Sequence, residues 1–373
     1  MKFLFYLLLI IHGLIHLLGF LEAFHIVEFS QFTQEITKPI GLLWLLSFIM
    51  FFFTWINLFL HKEWWWITAF ASVISSQILI FSSWQDAKIG TLANLIVLLV
   101  ALVGFATWQF NKQAEQEIGL LLAGIKDSKK VVITDEMLEP YPTPVQLWLR
   151  NIGIVGKEKI MHASFKQNGL MRLKPDQQKW SPASAEQFVT TDEPAFIWKV
   201  NMKMMPLLSI LGKDSFKDGK AEMFMKLAAF IPVVNVSNNA KTDESTLQRY
   251  LLELPWYPSA AISSYILWEG LDKSTAKATI LYNRVTGSAT FYFDDSGNLL
   301  KVSALRFKDN KDDSERLECI GEVKETRIIE GITIPTKMEV TWILEEGKFT
   351  WYQVELTNVK FNYGLYELFQ DKP

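Results

Sequence analysis

The sequence predicts a membrane α-helical block followed by a soluble, β-rich domain, and three observations lead there. Residues 1–110 contain four apolar stretches, at 3–24, 41–60, 65–84 and 90–110. Each is close to the roughly 20 residues needed to cross a hydrocarbon core. The same segment carries only four lysines and five acids, whereas the rest of the 373-residue chain has thirty-three basic and thirty-five acidic residues. Beyond residue 144, apolar and polar residues alternate with period two, as half-buried strands require. The expected architecture is therefore four transmembrane helices over 1–110, a linker and surface helix over 111–144, and a bent, half-barrel-like antiparallel sheet with one or two packing helices over 145–373.

The first stretch opens with Lys2 and an apolar run, as a secretion signal does. The run is too long for a typical signal core, and no small-x-small cleavage site precedes Glu22, so it is expected to stay as the first helix. Trp44, Trp55, Trp64, Trp65, Trp66, Trp84 and Trp108 fall at or near span ends, where an amphipathic indole prefers the membrane interface. Four spans put both ends of the block on one side. That side holds Lys2, Lys62, Lys112, Lys126, Lys129 and Lys130, the other Lys38 and Lys88. The positive-inside rule then predicts a cytoplasmic soluble domain.

Within the first stretch His12, His16, Gly19 and Ala23 recur at spacings of four, three and four, one helical stripe that should face the bundle. Ionisable groups in a membrane span are candidate functional groups because lipid exposure is costly. Partners are available in Thr54 and Asn57, in Ser72, Ser75, Ser76 and Gln77, and in Asn94. A haem, quinone or proton site is one reading. Two histidines four apart on one helix cannot supply opposite axial ligands to one haem, and a structural hydrogen-bond network is the other reading.

Several stretches here resemble a bacterial family of uncharacterised four-span membrane proteins with a C-terminal domain of unknown function. They are His12-Gly-Leu-Ile-His16-Leu-Leu-Gly-Phe20, Pro39-Ile-Gly-Leu-Leu-Trp44, Ser76-Gln77-Ile-Leu-Ile and Trp84-Gln-Asp86-Ala-Lys88-Ile-Gly90-Thr-Leu-Ala-Asn94. The resemblance implies an integral, multi-pass protein of a bacterial inner membrane, and no activity. In size the four-span unit is also similar to DoxX-like membrane proteins.

Past residue 110 an apolar patch at 118–125 is expected along the membrane surface. Pro140, Pro142 and Pro144 stiffen the chain, and 145–151 reads as a short helix. Phe196, Trp198, Val200, Met202 and Met204 share one strand face. Ala221, Met223, Met225 and Leu227 share another, and Met338, Val340, Trp342 and Leu344 a third. Hairpin turns are expected at 294–298 and 345–348, with Gly297 and Gly347 supplying positive φ. The first is too short for a calcium loop and lacks its distant glutamate. About ten strands are expected, with one helix at 243–254 capped by Thr242 or Asp243 and ended by Pro255.

Candidate functional residues follow from these faces. Met202, Met204, Met223 and Met225, with Trp198, would line an adaptable apolar surface or simply fill a core. Arg249, Tyr250, Glu253 and Trp256 at the helix end, with Trp180, are candidates for a cleft rim, and Arg249 and Glu253 would form an exposed i,i+4 pair worth about 0.3–0.5 kcal/mol. Trp180-Ser-Pro182-Ala-Ser-Ala-Glu186-Gln187 and the 247–258 stretch again resemble the family's C-terminal domain. Phe291-Tyr-Phe-Asp-Asp-Ser-Gly-Asn-Leu and Gly331-Ile-Thr-Ile-Pro335 look like the half-barrel of LolA- and LolB-type lipoprotein carriers, which work outside the cytoplasm. That implication and the charge rule point to opposite sides.

A net charge of −3 without a basic cluster argues against nucleic acid as a partner. One cysteine, Cys319, excludes disulfides within a chain and cysteine-based zinc sites. No phosphate-binding loop, serine elbow, zinc-protease helix or dinucleotide fingerprint occurs. No cofactor or metal is therefore expected. The expectation is a membrane-tethered, non-catalytic module for a lipid or other apolar ligand. The alternatives are a membrane enzyme or redox component using His12 and His16, and a structural subunit of a membrane complex.

Overall fold

A computed structural model describes residues 2–27, 29, 33–125, 130–205 and 208–363. Lys126 and Lys129, used in the charge argument, lie outside the described residues. The chain divides into two compact units, 1–113 and 114–372.

The first unit holds α1 (Lys2–Ala23), α2 (Lys38–Phe59), α3 (Trp65–Ser82), the single turn α4 (Trp84–Ala87) and most of α5 (Gly90–Ala123). Four of these are long and apolar enough to span a membrane, the character of a multi-pass membrane protein. Thr37 precedes α2 in extended conformation and Pro39 sits in its first turn, where its missing N–H costs nothing. The stripe His12, His16, Gly19 and Ala23 is buried, as its spacing predicts. Gly19 lies directly under the Trp44 ring, and Gly41 under Ala23, so α1 and α2 approach through small residues.

The second unit begins with the last turns of α5. These are continuous with the fourth span, and Ile118, Leu121 and Leu122 bury against Ala195 and Ile197, not along a membrane surface as the isolated patch suggests. Next come α6 (Thr143–Asn151), then β1 (His162–Met171), β2 (Ser181–Thr190), β3 (Ala195–Met205), β4 (Leu208–Lys217), β5 (Lys220–Leu227) and β6 (Ile231–Ser237). After α7 (Ala240–Glu253) follow β7 (Ile266–Gly270), β8 (Thr275–Tyr282), β9 (Val285–Phe293), β10 (Leu299–Phe307), β11 (Arg316–Ile329), β12 (Ile332–Leu344) and β13 (Gly347–Phe361). The strands form one antiparallel sheet in the order β6-β5-β4-β3-β2-β1-β13-β12-β11-β10-β9-β8-β7. Among the described residues thirteen strands form where about ten are expected. The β9–β10 and β12–β13 turns fall where Gly297 and Gly347 predict, both at positive φ.

The sheet is an open meander whose middle is the β1–β13 pairing. α7 touches β4 and β5 on one wing and β9, β10 and β11 on the other, although many strands separate them. The sheet therefore curls around α7, as the accumulated right-handed twist allows. The two wings meet at their turns: Gly219 lies against Asn283, and the Tyr282 hydroxyl donates to Glu193 Oε2 at 3.0 Å. α7 starts three residues before its expected position. Its cap is Asn239, whose side chain accepts from the Thr242 N–H at 3.0 Å; Asp243 instead accepts from the Ala221 N–H at 2.7 Å, tying the helix to β5. On the far wing small residues, Ala276, Ala278, Gly287 and Ala289, line the inner face of β8 and β9 and let α7 approach closely. α6 covers Phe291 and Phe293 with Trp148, ring centroids 5.8 Å from each.

Candidate functional site

The concave face of the β3–β6 wing can be read directly from the register, because residues paired across antiparallel strands share a face. One row runs Gln187, Trp198, Asp214, Met223, Val236. The next runs Ala185, Val200, Gly212, Met225, Val234. A third joins Ala183, Met202, Ile210, Leu227 and Ile231. Burial falls along each row: Trp198, Val200 and Met202 are buried, Met223, Met225 and Leu227 half-buried, and Ile231 is 57% exposed. Met204 continues the buried side and is half-buried. Thus Trp198 and Met202 belong to the core, whereas Met204, Met223 and Met225 form its accessible margin. Gly212 sits at the centre of this surface, because a β-carbon there would lie 2.9 Å from Val200 Cγ1 and 3.4 Å from Met225 Cγ. Its missing side chain lets Val200 and Met225 pack directly over the strand backbone there.

The inner end of the wing is polar. Trp198 Nε1 and the Tyr352 hydroxyl both donate to Gln167 Oε1 at 2.9 Å. Gln167 Nε2 donates to Gln187 Oε1 at 3.0 Å, and Gln187 Nε2 donates to Glu253 Oε2 at 2.5 Å. Arg249 joins the two buried carboxylates, donating from Nε to Glu253 Oε1 and from Nη1 to Asp214 Oδ2, both at 2.7 Å. Its guanidinium also lies over Trp198, 4.6 Å from the ring centroid, and over Phe196 at 5.1 Å. Arg249 and Glu253 thus form the i,i+4 pair that their spacing predicts, but they are 17% and 11% exposed and part of a larger network. The estimate for an exposed pair does not apply to them. Sequence spacing could not supply Asp214, Gln167, Gln187 or Tyr352, which lie 35 to 103 positions from Arg249 and arrive through strand register.

Asp214 stands apart within this network. It is buried, Oδ2 is taken by Arg249, and Oδ1 has no hydrogen-bond partner among the described residues. Burial pushes its carboxyl above the ordinary aspartate range, with the Arg249 guanidinium opposing that rise.

The other rim candidates go elsewhere. Tyr250 donates to the Thr190 carbonyl at 3.1 Å and meets the Tyr265 hydroxyl at 3.0 Å; burial raises its phenol well above the usual range. Trp256 packs edge-on against Phe165 at 5.3 Å. Trp180 lies under the Arg172 guanidinium at 4.3 Å, in the β1–β2 turn. Asp294 accepts from the Ser296 and Asn298 N–H groups and closes its own turn.

The first unit has its own polar cluster. His12 Nε2 lies 2.9 Å from Asn94 Oδ1, His16 Nε2 2.8 Å from Ser76 Oγ, and His16 Nδ1 2.8 Å from the His12 carbonyl. Asn94 Nδ2 donates to Ser76 Oγ at 2.9 Å and Gln77 Oε1 at 3.0 Å, and Gln77 Nε2 to Thr91 Oγ1 at 3.2 Å. One proton arrangement satisfies these contacts. His12 Nε2–H donates to Asn94, His16 Nδ1–H to the backbone carbonyl, and the Ser76 hydroxyl to His16 Nε2. Asn57 stays outside, donating to the Phe53 carbonyl at 3.0 Å.

Comparison with known proteins adds one distantly similar structure and a family. A crystal structure of a LolA superfamily protein from Nitrosomonas europaea is similar at a TM-score of 0.35 and 11% identity, over 64% of this chain and 98% of that one. No curated protein matches. A family of unknown function, DUF6920, matches residues 139–361, which run from just before α6 to the end of β13, and the chain belongs to that family.

Proposed function

We propose that the second unit is a membrane-tethered, non-catalytic module that holds a lipid or other apolar ligand on the concave face of its β3–β6 wing. The observation that carries this reading is the gradient along paired rows, from buried Trp198, Val200 and Met202 to half-buried Met223, Met225 and Leu227. The outer positions keep partly exposed apolar side chains toward the open edge of the wing. The half-buried, unbranched thioether side chains of this margin suit a chain-like ligand of variable shape. The ligand-lining residues in this reading are Met204, Met223 and Met225, with Trp198 and Met202 as their rigid floor. The charge of the flanking segments favours a cytoplasmic position for the unit.

The intramembrane cluster supports a structural role, since both ring nitrogens of His16 and Nε2 of His12 already have partners inside the bundle. Mass spectrometry of organic extracts tests the proposal on the full-length protein, against Met225→Asp as the matched blank. A stoichiometric apolar molecule retained by the natural protein and lost from the variant is expected. Identical extracts from the two folded proteins would contradict the proposal.

A further inference from the structure

We infer that the ligand of the Met-lined wing is an amphiphile whose polar end is an uncharged hydrogen-bond donor, a hydroxyl or amide N–H, and that Asp214 Oδ1 is its acceptor. The inference rests on the apolar-ligand reading above and adds the chemistry of the ligand's head.

Position comes first. Asp214 pairs laterally with Trp198 on one side and Met223 on the other, so its carboxylate lies on the same concave face as the methionine margin, one row from Gly212 and Met225. Next is the open valence. Asp214 is 6% exposed, its Oδ2 accepts from Arg249, and Oδ1 has no partner among the described residues. A buried acceptor left without a hydrogen bond is unfavourable, and more so on a charged group. A proton on Oδ1 would not relieve it, because that proton would in turn need an acceptor. A donor brought by a ligand would.

Charge then selects the kind of donor. The two carboxylates, Asp214 and Glu253, face two guanidinium groups. Arg249 bonds both carboxylates, and the Arg306 charge acts on Asp214 from β10, where its Nε donates to the Ser245 carbonyl at 3.0 Å. Lys220 and Asp243 form a separate pair at 3.1 Å. The polar end is thus balanced, two against two. An ammonium or carboxylate head would enter it as an uncompensated charge, whereas a hydroxyl or amide adds none.

Photo-crosslinking on full-length protein in nanodiscs tests this with four diazirine-bearing C16 probes that differ only at the end: alcohol, methyl ether, amine and carboxylic acid. Saturable labelling of the β5 peptide is the readout, located by peptide mass spectrometry. The alcohol is expected to label wild type at least about tenfold more efficiently than the ether, as a hydrogen bond to a charged group implies. Asp214→Asn, which turns an N–H2 toward the ligand while its carbonyl keeps Arg249, should erase that preference. Equal labelling by alcohol and ether, or preference for the amine or acid in wild type, would overturn the inference and leave apolar binding standing. No saturable β5 labelling by any probe would overturn both. The wild-type comparison decides even if the variant does not fold.

Discussion

The two units each bury a polar cluster in apolar surroundings, and the clusters differ in two respects. Around His12 and His16 the groups are formally uncharged in one self-consistent proton arrangement, and the network donors and acceptors traced there find partners within the bundle. Around Arg249 the groups are ionic, and one acceptor, Asp214 Oδ1, remains open. A closed neutral network holds helices in register, as interhelical polar contacts in membranes do. The ionic network keeps an open acceptor in the row beside half-buried methionines, and the proposal of a ligand site rests on that contrast rather than on the presence of histidine.

Breaking each network should separate them by size. Arg249→Met leaves Asp214 and Glu253 buried without their shared cation, and loss of about 3–5 kcal/mol of stability is expected, since removing one partner strands the other charges. Thermal unfolding followed by near-ultraviolet circular dichroism would show it. Asn94→Leu removes the hub of the membrane cluster and should cost less, about 0.5–2 kcal/mol, because chains unfolded within a membrane find other partners. If Asn94→Leu proves the more damaging, the ranking of the two clusters is wrong.

The acid branch of the stability profile sharpens the comparison further. Burial raises the Asp214 pKa in the folded chain above its unfolded value of about 3.9. Its contribution is therefore fully present below that value and lost as pH rises through the folded pKa. The stability difference between wild type and Asp214→Asn should accordingly shrink across that window in pH-dependent denaturation. A difference that grows with pH would mean that Arg249 outweighs burial. The smallest effect concerns Cys319, which is fully buried, with a thiol raised by that burial. No maleimide labelling is expected in the native protein, and full labelling is expected in denaturant.

Much of this was legible in residue order. Apolar length gives the four helices, and the spacing of His12, His16, Gly19 and Ala23 gives their buried face. Alternation places Phe196 to Met204 and Ala221 to Leu227 on strands, and Gly297 and Gly347 mark their turns. What period two cannot give is which strand lies beside which. Asp214 reads as one polar residue among Lys213 and Ser215 until register sets it between Trp198 and Met223. The same holds for Gln167 and Tyr352, 185 positions apart in sequence and 2.9 Å apart in space. The patch at 118–125 misled because an amphipathic helix end looks alike whether lipid or a sheet face covers it. Arg249 and Glu253 read as a surface pair because spacing along a helix carries no information about what packs over it.

Methionine oxidation footprinting tests the central claim most directly. Full-length protein in nanodiscs would be exposed to dilute peroxide with and without a C16 alcohol, and each methionine quantified. Met202 is buried and Met137 is 36% exposed outside the wing, so they serve as the unreactive and reactive references. The account predicts that the alcohol protects Met204, Met223 and Met225 while Met137 oxidises unchanged. Equal oxidation of the wing methionines with and without the alcohol would contradict it.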